Sequence, residues 1–119
     1  MVDDRVLTEL RASVQDDTAF VRDLVDAFAS DSAGLLDAVD AAMAAGDAEA
    51  LVRPAHTLKS SSATLGAMTL SATARTLELA GRSGTLDEPE TREAGARIRD
   101  EWEAATAAMR DWLAKVEER

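Results

Sequence analysis

Apolar residues along this chain recur every three or four positions, and the runs with that period are separated by short clusters of glycine, proline and aspartate. The pattern predicts five helices. A short first helix is expected over about 3–13. Asp16 or Asp17 can cap the second, which carries Phe20, Leu24, Val25, Phe28, Leu35, Leu36, Val39 and Met43, bends around 30–34 and stops at Gly46. Asp47 caps the third, with Glu49 in its first turn against the helix dipole and Gly66 at its end. The fourth spans about 68–80 and ends in Gly81-Arg82-Ser83-Gly84. Asp87-Glu88-Pro89-Glu90 resembles a capping box with proline in the first turn, and it opens a fifth helix that runs to about 116. Ile98, Trp102, Ala105, Met109, Trp112 and Val116 form a sustained apolar seam on that helix.

Long helices joined by short connections imply an all-α fold, an up-and-down antiparallel four-helix bundle with an additional short N-terminal helix. At 119 residues the chain has room for one domain, residues 1–119, with a core that needs neither disulfide nor metal. Both tryptophans lie on the seam and are read as bundle core rather than as a ligand box. The same spacing could support a coiled-coil dimer, but that needs several clean heptads with flanking charge pairs, so a monomer is expected.

Composition narrows the function classes. Cysteine is absent, which excludes a disulfide scaffold, a thiolate zinc site and a cysteine nucleophile together. The start, Met1-Val2-Asp3-Asp4-Arg5, is acidic and no long uncharged apolar run follows, so neither signal peptide nor membrane span is expected and the protein is placed in the cytoplasm. A formal net charge of -10 argues against nucleic acid and anionic membrane as partners, because both are bound through clustered lysine and arginine. A protein or small-molecule partner remains.

The one histidine, His56, stands in the run Ala55-His56-Thr57-Leu58-Lys59-Ser60-Ser61-Ser62-Ala63-Thr64-Leu65-Gly66-Ala67. Helical geometry puts Leu51, Ala55, Leu58, Ser62 and Leu65 on the stripe that packs into the bundle, with His56 roughly 140° from its centre and therefore facing solvent. Arg53, Ser60 and Ala63 surround it, Val52 flanks it one turn back, and Lys59 sits on the shoulder. Pro54, two residues before it, removes a hydrogen bond to Ala50 and is expected to kink the helix. An exposed imidazole titrates near neutrality and can act as a nucleophile without an activating triad, and Lys59 can neutralise phosphoryl oxygens as a point charge. In an acidic protein, two cations beside the only histidine point to a group that accepts a phosphoryl group.

The segment from Ala55 to Ala67 resembles the signature of histidine-containing phosphotransfer (HPt) domains, close to His-x-Leu-Lys-Gly-Ser-(Ser/Ala)-x-x-x-Gly-Ala. The resemblance extends to the Ala-Gly-Asp before the signature helix and to the acidic amphipathic last helix. It implies a phosphocarrier of two-component phosphorelays, with His56 the phosphorylated residue and Lys59 its electrostatic helper. Ser60 occupies the position where the family usually has glycine. The partners implied are response-regulator receiver domains, a hybrid histidine kinase or both, and phosphoryl groups pass between their aspartates and His56. No cofactor is expected on this chain, since the partner would supply the magnesium ion. Val52, Arg53 and Ala63 are candidate partner contacts.

Rival readings are weaker. An autonomous kinase needs an ATP-binding domain and a Gly-rich phosphate loop that this length does not hold. A hydrolase built on His56 and Ser60 lacks an aspartate to orient the histidine and an oxyanion hole. Metal chemistry in a bundle needs Glu-x-x-His pairs or several histidines, and Arg53 stands three residues before His56. A phosphorylation-independent adaptor is the remaining alternative.

Overall fold

The computed structural model describes residues 2–117, and these form five helices: α1 (Asp4–Ser13), α2 (Thr18–Ala45), α3 (Ala48–Thr64), α4 (Met68–Ser83) and α5 (Pro89–Glu117). Helices α2 to α5 pack in chain order, and α5 returns against α2 to close a ring of four. The fold class is as the sequence implies, an all-helical bundle with a short helix added at its N-terminal end. The bundle is long and thin, 48 × 19 × 18 Å.

Local chemistry sets the ends. Asp3, Asp17 and Asp47 each accept a backbone N–H of the first turn of α1, α2 and α3, satisfying donors that have no partner within the helix. Of the two candidate caps for α2, Asp17 is the one used, and the helix is continuous through 30–34. Gly46 and Gly84 close α2 and α4 in the left-handed region. Pro54 sits buried inside α3, which stays continuous from Ala48 to Thr64.

Helix α4 is three residues longer than its pattern predicts, because Gly81 continues the helix and Gly84 stops it. Packing explains the difference. A Cβ on Gly81 would lie 2.9 Å from the Ala48 carbonyl oxygen and 3.0 Å from Val52 Cγ2, so the missing side chain lets α3 and α4 approach closely. Gly81→Ala is expected to force the two helices apart at a cost of about 1–3 kcal/mol, read as a lowered midpoint in denaturant unfolding.

The stripe Leu51, Ala55, Leu58, Ser62 and Leu65 is buried as its spacing requires. On α5, Ile98, Ala105, Met109 and Trp112 are buried, while Trp102 and Val116 lie half-buried against the core. Trp102 donates its indole N–H to Ser32 Oγ at 2.6 Å, and Ser32 in turn donates to the Phe28 carbonyl, so this tryptophan ties α5 to α2. Phe20, expected on the apolar pattern of α2, is exposed.

Helix α1 closes one end of the bundle. Leu7 is fully buried, and the Asp3 N–H donates to the Gly66 carbonyl at 2.9 Å. Gly66 has φ +80° with Asp3 and Val6 pressed against it, a place for glycine on both counts. That turn fixes where α3 ends and α4 begins, and so the register in which the two helices meet beside His56.

Candidate functional site

His56 lies on the outward face of α3, with its side chain 53% exposed. Its Nδ1 is 2.7 Å from Oε2 of Glu78 on α4. Lys59 Nζ donates to Glu78 Oε1 at 2.6 Å, and Arg82, one turn after the glutamate, donates through Nη2 at 2.8 Å and Nε at 3.3 Å to Oε2. Glu78 is itself buried, 4% exposed. One sunken carboxylate therefore gathers an imidazole, an ammonium and a guanidinium around it.

The Lys59 hydrogen bond is the main cause that holds the Glu78 carboxyl at about 2, down from its ordinary 4.5. Burial works against that shift, and the Arg82 and His56 hydrogen bonds add to it. An ionised carboxylate can only accept, so the proton between the two groups belongs to His56 Nδ1. That assigns the tautomer: Nδ1 carries hydrogen, and Nε2, on the opposite edge of a half-exposed ring, carries the lone pair.

Because the fold favours the ionised form of Glu78, its stabilisation is complete above about pH 4.5 and drains away as pH falls towards about 2. Glu78→Gln is expected to be less stable than wild type by on the order of 2 kcal/mol at neutral pH. The gap should narrow steadily as denaturant midpoints are compared down through that acid range. A constant gap would mean that the charge of Glu78 contributes nothing.

Each sequence-derived site residue has a definite place. Lys59 is on the shoulder beside His56 but only 30% exposed, because it is engaged with Glu78 rather than free in solvent. Ser60 is exposed next to the histidine, and its carbonyl accepts from Thr64 Oγ1 at 3.0 Å. Arg53 is exposed, and Val52 and Ala63 are half-buried on the same face one and two turns away. Ser71 of α4 donates to the Lys59 carbonyl at 2.8 Å, pinning the two helices together below the lysine. On the α2 side of His56 a groove of about 280 Å³ is lined by Leu24, Phe28, Leu35, Thr57, Ser61 and Leu65.

Reading the sequence for an orienting aspartate missed Glu78 and, with it, Arg82. A signal was present: Glu78 is the only acidic residue between Glu49 and Asp87, and it occupies an apolar-face position of α4 with Ala74, Leu77 and Gly81. Arg82 follows at the four-residue spacing that lets a pair form on one helix. Among the described residues, no three histidine, aspartate or glutamate side chains converge as a metal site would need.

Comparison with known proteins gives a consistent picture. The model of the Hpt domain family matches residues 23–116. Among solved structures, histidine-containing phosphotransfer protein B (HptB) from Pseudomonas aeruginosa PAO1 is similar, with a TM-score of 0.83 and 30% sequence identity over 96% of this chain and 95% of that one. A search of curated proteins found no match.

Proposed function

The chain belongs to the Hpt domain family, and from that premise we propose that it is a phosphocarrier that holds a phosphoryl group on Nε2 of His56 and exchanges it with aspartates of receiver domains. The observation that carries this reading is the His56–Glu78 hydrogen bond at 2.7 Å, which leaves the outward nitrogen as the nucleophile.

In the forward step the Nε2 lone pair attacks phosphorus of an aspartyl phosphate. The N–P bond forms, and the P–O bond breaks with its electron pair passing to the partner's carboxylate. No proton has to move. The ring keeps its Nδ1 hydrogen and becomes cationic, and Glu78 meets that charge with a charge-assisted hydrogen bond. In the reverse step Nε2 leaves with the bonding pair and the ring returns to the neutral tautomer, so one arrangement serves both directions. Lys59, at 30% exposure, can turn an ammonium proton towards the phosphoryl oxygens. Arg53, Val52 and Ala63 border the site as partner contacts, and Ser60 places a small hydroxyl where the phosphoryl group arrives.

A magnesium ion belongs in this scheme to the receiver domain, where it neutralises the acyl phosphate. The reading also assigns the chain no kinase or phosphatase activity of its own. Among the described residues, no helix is long and apolar enough to cross a membrane.

The test is transfer from phosphorylated receiver domains of the same organism to the purified protein. The account expects an acid-labile, alkali-stable label that can be chased into a second receiver. A protein that binds receivers but takes up no label would instead be an adaptor of the same fold.

A further inference from the structure

The two oxygens of the buried Glu78 carboxylate are bound differently. Among the described residues, Oε1 has one donor, Lys59 Nζ at 2.6 Å. Oε2 receives His56 Nδ1 at 2.7 Å and a forked contact from Arg82, with Nη2 at 2.8 Å and Nε at 3.3 Å. The two cations therefore occupy opposite oxygens, and either can leave without displacing the other.

Their attachments differ as well. Lys59 reaches Glu78 from α3, across the seam between the helices, with a single ammonium on a flexible stem. Arg82 stands four residues after Glu78 on α4, so its contact is set within one helix and made by a planar fork. Arg82 is exposed and lines a groove with Glu49 of the first turn of α3. Among the described residues it makes no ion pair with Glu49, so Glu78 is the anion that holds it.

Lys59 serves two anions. In the resting protein it neutralises Glu78, and in the phosphorylated protein it meets the phosphoryl oxygens. A buried carboxylate that loses its counter-charge is strongly destabilised, because only close cations and hydrogen bonds offset its desolvation. Lys59 is the largest cause of the lowered Glu78 carboxyl, and Arg82 is the next that acts in the same direction, so the charge does not depend on Lys59 alone.

We propose that Arg82 is a positioning residue for phosphoryl transfer, the stationary counter-ion that keeps Glu78 charged and in place while Lys59 passes from the carboxylate to the phosphoryl oxygens. The inference rests on the phosphocarrier reading. Without the Arg82 charge, Lys59 is the one permanent cation on a buried anion, and its departure would leave that anion to the imidazole alone. The lysine then stays on Glu78, and the phosphoryl group arrives at a site whose cation is not released.

Lys59 and Lys115 are the two lysines of the chain, which makes this exchange visible. Protein labelled with nitrogen-15 in its lysine side chains would be phosphorylated with phosphoramidate, a small donor whose P–N bond breaks as ammonia leaves. The two ammonium resonances would be followed for wild type, for Arg82→Gln, which keeps an N–H for Oε2 without the charge, and for Arg82→Lys, which keeps the charge. The Lys59 resonance is expected to move on phosphorylation of wild type while Lys115 stays, to move markedly less in Arg82→Gln, and to recover most of its displacement in Arg82→Lys. Transfer from a phosphorylated receiver is expected to be about tenfold slower for Arg82→Gln. A Lys59 resonance that stays in wild type, one that moves equally in wild type and Arg82→Gln, or equal transfer rates would each overturn the proposal and leave the phosphocarrier reading standing. A folded Arg82→Gln protein that takes no label would also overturn it, since Arg82 would then act in the chemistry itself. A folded wild-type protein that takes no label would overturn the phosphocarrier reading and this inference with it.

Discussion

Replacing His56 with glutamine is expected to abolish phosphoryl acceptance while leaving the bundle as stable as wild type to within about 1 kcal/mol. The loss is complete because the variant has no nitrogen lone pair: an amide nitrogen is conjugated with its carbonyl and does not attack phosphorus. The fold survives for reasons visible around the side chain. His56 is 53% exposed and contributes little buried surface. Glutamine can still donate an amide N–H towards Glu78, and Lys59 and Arg82 go on satisfying the carboxylate when the imidazole is gone. Label uptake from phosphoramidate and from a phosphorylated receiver, paired with a denaturant melt, checks both halves. Residual label on the variant would place a second acceptor in the chain.

The second large effect is expected at Glu78. Changing it to alanine should slow transfer by about 10- to 100-fold, the kinetic equivalent of losing one hydrogen bond to a charged group. Three losses coincide. Nδ1 has no fixed acceptor, so the tautomer with its lone pair on Nε2 is no longer favoured. The cationic ring formed during transfer loses its counter-charge. Lys59 and Arg82, released from the carboxylate, then bring unscreened positive charge up to that ring.

Glutamine at position 78 separates these contributions, because its carbonyl can accept from Nδ1 but carries no charge. A rate between those of wild type and the alanine variant is expected, because the acceptor for Nδ1 is kept while the counter-charge to the cationic ring is lost. A purely structural role for Glu78 would lower stability and leave the transfer rate of the folded protein where it was. The control matters, since Glu78 also bonds α4 to α3 and its removal is expected to destabilise the bundle.

Much of this was legible in the chain itself, for a physical reason. A helix with a strict apolar stripe has one way to bury it, so Leu51, Ala55, Leu58, Ser62 and Leu65 announced the inward face of α3 and, by subtraction, the outward place of His56. Caps are equally local: Asp3, Asp17 and Asp47 bond residues two or three positions ahead, and such bonds depend on little else. The missing information was carried between helices. Glu78 meets His56 across 22 positions of sequence, and nothing in the α3 segment alone reports which residue of α4 arrives opposite it. Gly81 shows the same failure from the other side. It looks like a helix stop in isolation and is a helix–helix spacer in the fold. Its place one turn from Glu78 makes the close approach of α3 and α4 a condition of the site, and the extra turn to Ser83 is what carries Arg82 into reach of Glu78.

Lys59 needs a similar adjustment. Sequence spacing placed it correctly beside His56 as a free cation, whereas in the bundle it begins its work bound to Glu78 at 2.6 Å. On the phosphocarrier reading, its attraction to an arriving phosphoryl group has to compete with that ion pair. The carboxylate therefore tempers the cation as well as orienting the imidazole.

The most direct test of the account is to find the atom that carries phosphorus. The protein would be labelled with nitrogen-15, phosphorylated by phosphoramidate, and examined by phosphorus and nitrogen magnetic resonance before and after. The account predicts one phosphorus–nitrogen coupling, at Nε2 of His56, with the Nδ1 hydrogen retained. Phosphorus on Nδ1, on another residue, or on none would contradict it.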